Sequence, residues 1–517
     1  MLTAQRLVER SLRSFGDRVA VVDEMRTTTY RTLCERTGRL VNALIALGAD
    51  RDHPVAVLLP NETICIEVDL AAMRAGVVRV AIGTRLSPDE CRYILEHSGA
   101  RVLITSKAQW ERIGGRLLGD LTTVLLVDAK GSDSIFGYEA ALERAAPDVT
   151  VAEVSSDHPA YILYTSGTTG RPKGALHTHG SRVSALTNML ASEIRADGTS
   201  GMVHCAPLSH GSGSKVLTFL ALGATNLILP KFDPDILADW IVRRGGSHTF
   251  VVPTMLQMML DAGPQTIARL RTMSQISFGG APITNALFGR VVDQLGPILT
   301  QVYGSCEAPH PITVLGPADY RDLSDPSIMG ELAGRPSPGS DASIVADDGG
   351  LLGAGLEGEL LVRGAHLMAG YWRDAQATAE VFRPGGWYAT GDIAVINEQG
   401  FVSFRDRKRD LIISGGLNIY PSEVERVLAE HHNVKEVAVV GAPDEKWGET
   451  VVACVVLNKG GETTADEISD WVGKHLADYK KPRRVLFMND LPKGSTNKAL
   501  KRELKADLWA GKSRRIN

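Results

Sequence analysis

Tyr164-Thr-Ser-Gly-Thr-Thr-Gly-Arg-Pro-Lys-Gly-Ala175 is the stretch on which the reading of this chain turns. Ala160 to Leu163 before it reads as a buried strand, and His177 to Ala191 after it reads as a helix. A loop rich in Gly, Ser and Thr between a strand and a helix suits a polyphosphate. Glycine lets backbone N–H groups approach the oxygens, hydroxyls add short donors, and Lys173 adds a full positive charge. The P-loop pattern GxxxxGK[ST] is absent. A Gly/Ser/Thr run on its own is more often a plain surface turn, so its company in the chain decides the matter.

The chain has 517 residues, enough for more than one domain and a large core. Hydrophobic residues make up 44% and charged residues 22%, as in an ordinary globular protein. A formal net charge of −4 gives no global attraction to nucleic acid or to an anionic membrane. Six cysteines lie far apart without a CxxC, which argues against disulfides and a thiolate metal site and for a reducing compartment. No apolar run reaches the roughly 18 residues needed to span a bilayer. Leu7, Val8, Leu12 and Phe15 predict an amphipathic first helix rather than a signal peptide. A cytoplasmic enzyme is the simplest expectation.

Apolar runs at Val55 to Leu59, Val77 to Ile82, Val102 to Thr105, Thr123 to Val127 and Leu227 to Leu229 read as strands. Ala71 to Ala75, Pro88 to His97 and Pro234 to Arg243 read as helix. This alternation predicts parallel sheets covered by helices. From about Gly330, dense Gly and Pro with short alternating runs predict a small β-barrel or antiparallel sheet. A smaller α+β unit is expected after Asp406, with capping boxes at Ser422/Glu425 and Thr464/Glu467. Ile468, Trp471, Val472 and His475 fall on one helical face, and Val437 to Val440 and Val451 to Leu457 read as strands. The seam is the charged string Arg405 to Asp410, which suits a wet hinge. The expected domains are residues 1–406 and 407–517.

The run at Tyr164 resembles the phosphate-loop signature of the adenylate-forming superfamily, the group of acyl-CoA synthetases, aryl-CoA ligases, luciferases and adenylation domains. Similar signatures extend from about Ala71 to Lys498. The resemblance implies an acyl-CoA synthetase-like fold: a large α/β N-terminal domain and a smaller, mobile α+β C-terminal domain. It also implies ATP, Mg²⁺ and coenzyme A as cofactor and co-substrates, with Thr165, Ser166, Gly167, Thr168, Thr169, Gly170 and Lys173 on the phosphates. Ser277 to Pro282 resembles the segment along the adenine, through Gly279, Gly280, Ala281 and Pro282. Gln301 to Ala308 resembles the YGxTE signature, in which Tyr303 stacks on the adenine beside Gly304. Glu307, with Thr168, holds the metal, a role suited to hard oxygen. Cys306 stands where the family has Thr, and a thiol is a weak donor.

Trp387 to Asp392 matches the TGD signature, whose Asp392 accepts the ribose hydroxyls, and Arg407 resembles the Arg that also reaches the ribose. Arg409 falls at the hinge position, and Lys498 resembles the catalytic Lys that bridges the attacking carboxylate and the α-phosphate. Asn497 replaces a common Gly beside it. Pro207 to His210 resembles one wall of the acyl pocket, with His210 as gate or carboxylate contact and with Gly211 and Gly213 leaving room for the acyl group. For the thiol step, Gly415 and Gly416 line a pantetheine path, Trp447 packs on the arm, and Lys481 and Arg483 meet the CoA phosphates. Rotation of the small domain between the two steps is part of the same resemblance.

The resemblance thus implies an ATP-dependent acid–CoA ligase acting on a fatty or aromatic monocarboxylic acid, with no nucleic-acid partner and no membrane span. A homodimer is one candidate assembly. The competing readings are an adenylation enzyme that loads a carrier protein and a non-catalytic ATP-binding protein. Amino-acid-activating relatives usually carry an Asp in the pocket, and Pro207 to Ser214 has none. A sensor has no need of Lys498 at the α-phosphate.

Overall fold

The computed structural model describes residues 2–128, 135–165, 171–322, 326–415, 417–493 and 499–510. The chain folds as two compact units, Met1–Ala342 with Val362–Tyr388, and Ser343–Leu361 with Ala389–Asn517. The division falls upstream of the expected 406/407 boundary. Its cause is visible within the second unit. Ser422 N–H donates to Asp406 at 2.7 Å, its hydroxyl donates to the Arg405 carbonyl, and Tyr420 OH donates to Glu357. The strands before the charged string therefore pack with the start of the helix Pro421–Ala429 beyond it.

The first unit is built on two large sheets. One is nine-stranded, and its neighbouring strands Leu299–Tyr303, Gln275–Gly279, His248–Val251, Gly201–His204, Thr225–Ile228 and Val19–Val22 run parallel. The other is eight-stranded, with Pro159–Tyr164, Arg79–Ala81, Val55–Leu58, Val102–Thr105, Thr123–Leu126 and Ile135–Gly137 parallel. Most of these strands are apolar and buried throughout, as parallel strands covered by helices must be. The amphipathic first helix is Ala4–Ser14, capped by Thr3, with Leu7, Val8 and Leu12 buried.

The segment after the phosphate loop differs from expectation. Gly174–Thr178 is an antiparallel strand paired with Pro159–Tyr164, and the helix begins only at His179. Thr178 caps that helix by accepting from Ser181 N–H at 3.1 Å. The reason lies in alternation. Ala175 and His177 are buried, and His177 stacks on Tyr161 with ring centroids 4.7 Å apart. Gly174 is required by the hairpin, since a Cβ there would lie 2.7 Å from Ile162 Cγ2. The described residues on either side of the loop thus pair as antiparallel strands, and the helix after them starts at His179.

A buried charge cluster fixes the packing beneath this hairpin. Asp69 accepts from Arg79 at 2.8 Å and from Arg182 at 3.0 Å. Burial pushes its carboxyl up, but the two guanidiniums outweigh burial and hold it below its usual range. Both guanidiniums lie over the Tyr161 ring, at 5.6 and 5.0 Å from its centroid. A strand, its neighbour and two helices are thereby joined at one point.

In the second unit, Val434–Asp444 and Gly448–Leu457 form a long antiparallel pair covered by Pro421–Ala429 and Ala465–His475. Antiparallel pairing continues upstream, with Ile344 opposite Leu352 and Asp392 opposite Arg407. The Thr464/Glu467 capping box is present. The expected Ser422/Glu425 box is not. Pro421 opens the helix, Glu423 reaches back to Tyr420 N–H at 3.2 Å, and Glu425 instead accepts from Val439 N–H and pairs with Lys501. Pro421 at the first helical position overrides the Ser. No helix among the described residues is long and apolar enough to cross a membrane.

Asp69→Ala strands two buried guanidiniums and should lower stability by about 3–5 kcal/mol. Urea unfolding checks this: the midpoint should fall with the slope unchanged.

Candidate active site

Three sequence-predicted segments leave the carboxyl ends of strands that lie near one another in the nine-stranded sheet. Gly280 to Pro282 follow Gln275–Gly279, Gly304 to Glu307 follow Leu299–Tyr303, and Pro207 to His210 follow Gly201–His204. Carboxyl ends of adjacent parallel strands are where open α/β sheets bind ligands.

The phosphate-loop hairpin belongs to the other sheet, and side chains stitch the two together. Tyr371, on the short strand Gly370–Tyr371 beside Gly174–Thr178, donates its hydroxyl to Glu307 Oε1 at 3.0 Å. Met368 N–H donates to the Glu307 carbonyl at 2.8 Å. His177 Nε2 donates to the Cys306 carbonyl at 2.7 Å, and burial depresses its pKa to about 4, so it stays neutral. The Lys173 ammonium lies 5.1 Å from the Tyr371 ring centroid. Thr165 N–H donates to the Lys173 carbonyl at 2.9 Å, which closes the base of the loop. Glu307, Lys173 and Thr165 are thereby brought together. Ser166, Gly167, Thr168, Thr169 and Gly170 lie outside the described residues.

Backbone geometry explains the glycines. Gly279 sits in its strand where a Cβ would lie 2.4 Å from the Val302 carbonyl oxygen, and Gly280 has φ +80°. A Cβ on Gly304 would lie 2.4 Å from His310 N. Tyr303 ends its strand half-buried, and Pro282 is exposed. Ser305 Oγ accepts from Glu307 N–H at 3.2 Å and from Ala308 N–H at 3.1 Å, so the turn carrying Glu307 holds its own shape.

His210 is half-buried, with Nδ1 2.8 Å from Ser209 Oγ. Burial, with help from Arg85, lowers its pKa and keeps the ring neutral. Gly211 faces Phe250 and His310, where a Cβ would lie 2.9 Å from the Phe250 ring. Gly213 is small for a different reason from the one expected: a Cβ there would lie 1.9 Å from the Leu208 carbonyl oxygen. The turn itself requires glycine at 213.

In the second unit, Asp392 is held by Arg407 at 2.9 Å on neighbouring antiparallel strands. Arg409 lies 3.9 Å from Asp410. Gly415, at φ +58°, donates its N–H to the Trp447 carbonyl at 2.8 Å, and a Cβ there would meet the Trp447 ring at 2.7 Å. Trp447 is 37% exposed, with Lys446 Nζ 4.7 Å and Arg483 Cζ 5.6 Å from its ring centroid. Lys481 pairs with Asp478 at 3.1 Å and Lys480 with Glu423 at 2.5 Å, so much of this local positive charge is matched by acids. Gly416 and Lys498 lie outside the described residues.

Sequence reasoning missed Tyr371, Phe250 and His310. The Gly370-Tyr371-Trp372 triplet carried the one available signal for Tyr371: aromatics after a glycine, here at φ +152°.

An AMP-binding enzyme model matches residues 8–372, and an AMP-binding enzyme C-terminal domain model matches residues 423–498. The feruloyl-CoA synthase of an Amycolatopsis species is 35% identical over 479 residues, covering 92% of this chain and 93% of the relative. The indoleacetate–CoA ligase of Aromatoleum aromaticum is 35% identical over 486 residues, covering 93% of each. The solved o-succinylbenzoate-CoA synthetase of Bacillus subtilis, in complex with its acyl-adenylate intermediate, superposes with a TM-score of 0.84 at 28% identity, covering 98% of each chain.

Fold and matches together define an adenylate-forming enzyme, and the chain belongs to the AMP-binding enzyme family. Within it, this protein is an ATP-dependent, AMP-forming acid–CoA ligase.

Gly213→Ala should destabilise by roughly 1–3 kcal/mol, because the neighbour it meets is backbone. Gly289→Ala is the control: it lies within the helix Asn285–Leu295 with nothing near its missing Cβ, and should stabilise by roughly 0.5–1 kcal/mol. Thermal unfolding of both variants reads the contrast.

Proposed function

We propose that the acid is a fatty or aromatic monocarboxylate and that the residues above divide the two half-reactions between them. The relatives named for feruloyl and indoleacetyl substrates favour an aryl acid. The observation that carries the reading is the Glu307 carboxylate, fixed by Tyr371 and the strand-end turn, with Lys173 over the same tyrosine.

In the first step a carboxylate oxygen of the acid attacks the α-phosphorus of ATP, an O–P bond forms, and pyrophosphate leaves with its electron pair. Lys173, the hairpin donors and Lys498 would offset the charge that develops there. Among the described residues no group of His, Cys, Asp and Glu is arranged as a metal cluster. A lone Glu307 suits Mg²⁺ even so, because that ion takes one or two carboxylates and draws its other oxygens from phosphate and water. Tyr371 occupies Oε1, which leaves Oε2 as a hard donor. Bound there, Mg²⁺ would neutralise the departing phosphates. Asp392, held by Arg407, would accept the ribose hydroxyls.

In the second step the CoA thiol loses its proton and attacks the acyl carbonyl. A C–S bond forms, the acyl C–O bond to AMP breaks, AMP leaves with that electron pair, and the thiol proton passes to solvent. The bare Gly415 next to Trp447 would admit the pantetheine arm, with Arg483 near its phosphates. Arg409 would be the hinge between the steps. Free thiols at all six cysteines fit a reducing, cytoplasmic setting.

The steps are separable. Lys498→Ala should abolish acyl-AMP formation, read by pyrophosphate release, yet spare thioester formation from supplied acyl-AMP. Trp447→Ala should do the reverse. Equal loss of both half-reactions in both variants would overturn the division of roles. Glu307→Gln should raise the Mg²⁺ concentration needed for half-maximal pyrophosphate release by roughly 10-fold or more.

A further inference from the structure

The helix Pro88–Ser98 is set against the phosphate loop, and the roles assigned above make no use of it. Ser87 and Glu90 close its start with a capping box, and Cys91, Ile94 and Leu95 bury its inner face on the eight-stranded sheet. Tyr93 and His97 stand one turn apart on a partly buried face, with ring centroids 5.3 Å apart. Tyr164, the first residue of the loop motif, brings its hydroxyl within 2.8 Å of His97 Nδ1. Its ring stands nearly perpendicular to the imidazole, with 5.8 Å between centroids. Arg171, on the other side of the loop, lays its guanidinium over the Tyr93 ring, 5.1 Å from the centroid. Two residues on one helix face thus touch both sides of one loop.

The strand pairing at the base of the loop does not supply these contacts. It runs to Tyr164 opposite Gly174 and continues to Thr165 N–H on the Lys173 carbonyl, and Arg171 lies beyond it. The helix end is itself held. Its His97 and Ser98 carbonyls, left over by the helix's own bonding, accept from Arg373 at 3.4 Å and from Trp372 Nε1 at 3.2 Å. Arg373 takes a φ of +55°, the one positive value outside glycine among the described residues. Such conformations persist where the surroundings over-determine them, and they cluster at functional sites. Trp372 N–H donates to the Gly174 carbonyl at 2.7 Å, so the same segment grips the helix end and the strand that leaves the loop. Burial, and Arg373 after it, lower the His97 pKa, so the ring is neutral at pH 7 and shares one proton with the Tyr164 hydroxyl.

We propose that Tyr93 and His97 are positioning residues for ATP, holding the phosphate loop at Arg171 and Tyr164 so that its donors meet the triphosphate without first being ordered. Neither is a catalytic residue; both act through the loop. Holding a binding loop in advance removes an ordering cost from each binding event. The gain therefore falls on ATP and pyrophosphate, and not on the acid or on CoA. This rests on reading the run from Tyr164 to Ala175 as the phosphate site of an acid–CoA ligase.

The test uses the full chain and measures pyrophosphate release against ATP concentration. Thioester formation from supplied acyl-AMP, which uses no β- or γ-phosphate, is measured beside it. His97→Phe keeps the ring contact with Tyr164 but not the hydrogen bond, and should raise the KM for ATP roughly 5-fold. Tyr164→Phe deletes one oxygen and should do the same, with the double variant little worse than either. His97→Gln keeps a polar partner for the hydroxyl and should recover part of the loss. Tyr93→Leu should raise the KM for ATP roughly 3-fold, and Tyr93→Phe, which keeps the ring face, should restore most of it. In each variant the Ki of pyrophosphate as a product inhibitor should rise with the KM for ATP. The KM for the acid and the thioester rate should stay within about 2-fold of wild type. Should His97→Phe not fold, Tyr164→Phe reads the same bond. An unchanged KM for ATP in Tyr164→Phe and Tyr93→Leu, or equal losses in both half-reactions, overturns the proposal while the ligase reading stands. No pyrophosphate from the wild-type chain with ATP, CoA and any of decanoic, benzoic or cinnamic acid overturns both.

Discussion

The site depends on the hydrogen bond between Tyr371 and Glu307. Tyr371 lies on a strand of the eight-stranded sheet, and Glu307 lies on the turn that follows a strand of the nine-stranded sheet. The link does not act alone. His177 to the Cys306 carbonyl and Met368 N–H to the Glu307 carbonyl cross the same seam. Two side-chain bonds and one backbone bond leave the turn few ways to move. Preorganisation of this kind is what electrostatic catalysis requires, since groups already in position need no reorganisation when charge develops. At the Cys306 departure the neighbouring strand grips the backbone carbonyl, through His177.

Charge is used in two distinct ways. At the base of the phosphate loop Lys173 rests on the Tyr371 ring. Deeper in the first unit, charge is buried and matched, as with Asp69 between two arginines and Lys215 with Glu193. Buried pairs of this kind add little net stability over an apolar core, but breaking one is costly, so they enforce a single arrangement of the elements that carry them.

Much of this is legible in the sequence. The strands Val102–Thr105 and Thr123–Leu126 and the helices from Pro88 and Pro234 are readable because apolar runs and helix-start prolines are local signals. The motif segments come to the same sheet edge because they follow strands whose order the α/β pattern implies. What stays hidden is non-local. Whether residues 177 and 178 form helix or strand depends on Tyr161 and Ile162 on the paired strand, not on their own propensity. Ser422 looks like a cap until Pro421 and the partner Asp406 are seen. Tyr371 is 64 residues from Glu307, and no spacing rule joins them. The packing of residues 343–361 and 389–407 with the C-terminal region is likewise a matter of tertiary contact, while the charged string at 405–410 marks only a local change in texture.

The Asp69 cluster also bears on how the chain is made. Arg79 is 10 residues from Asp69, but Arg182 is 113 residues away. A nascent chain long enough to form the strands Val55–Leu58 and Val102–Thr105 holds this acid with only one of its two cations until the helix His179–Asn188 leaves the ribosome. Synthesis therefore passes through an interval in which the early strands of this sheet expose hydrophobic surface while Asp69 has only one of its two cations.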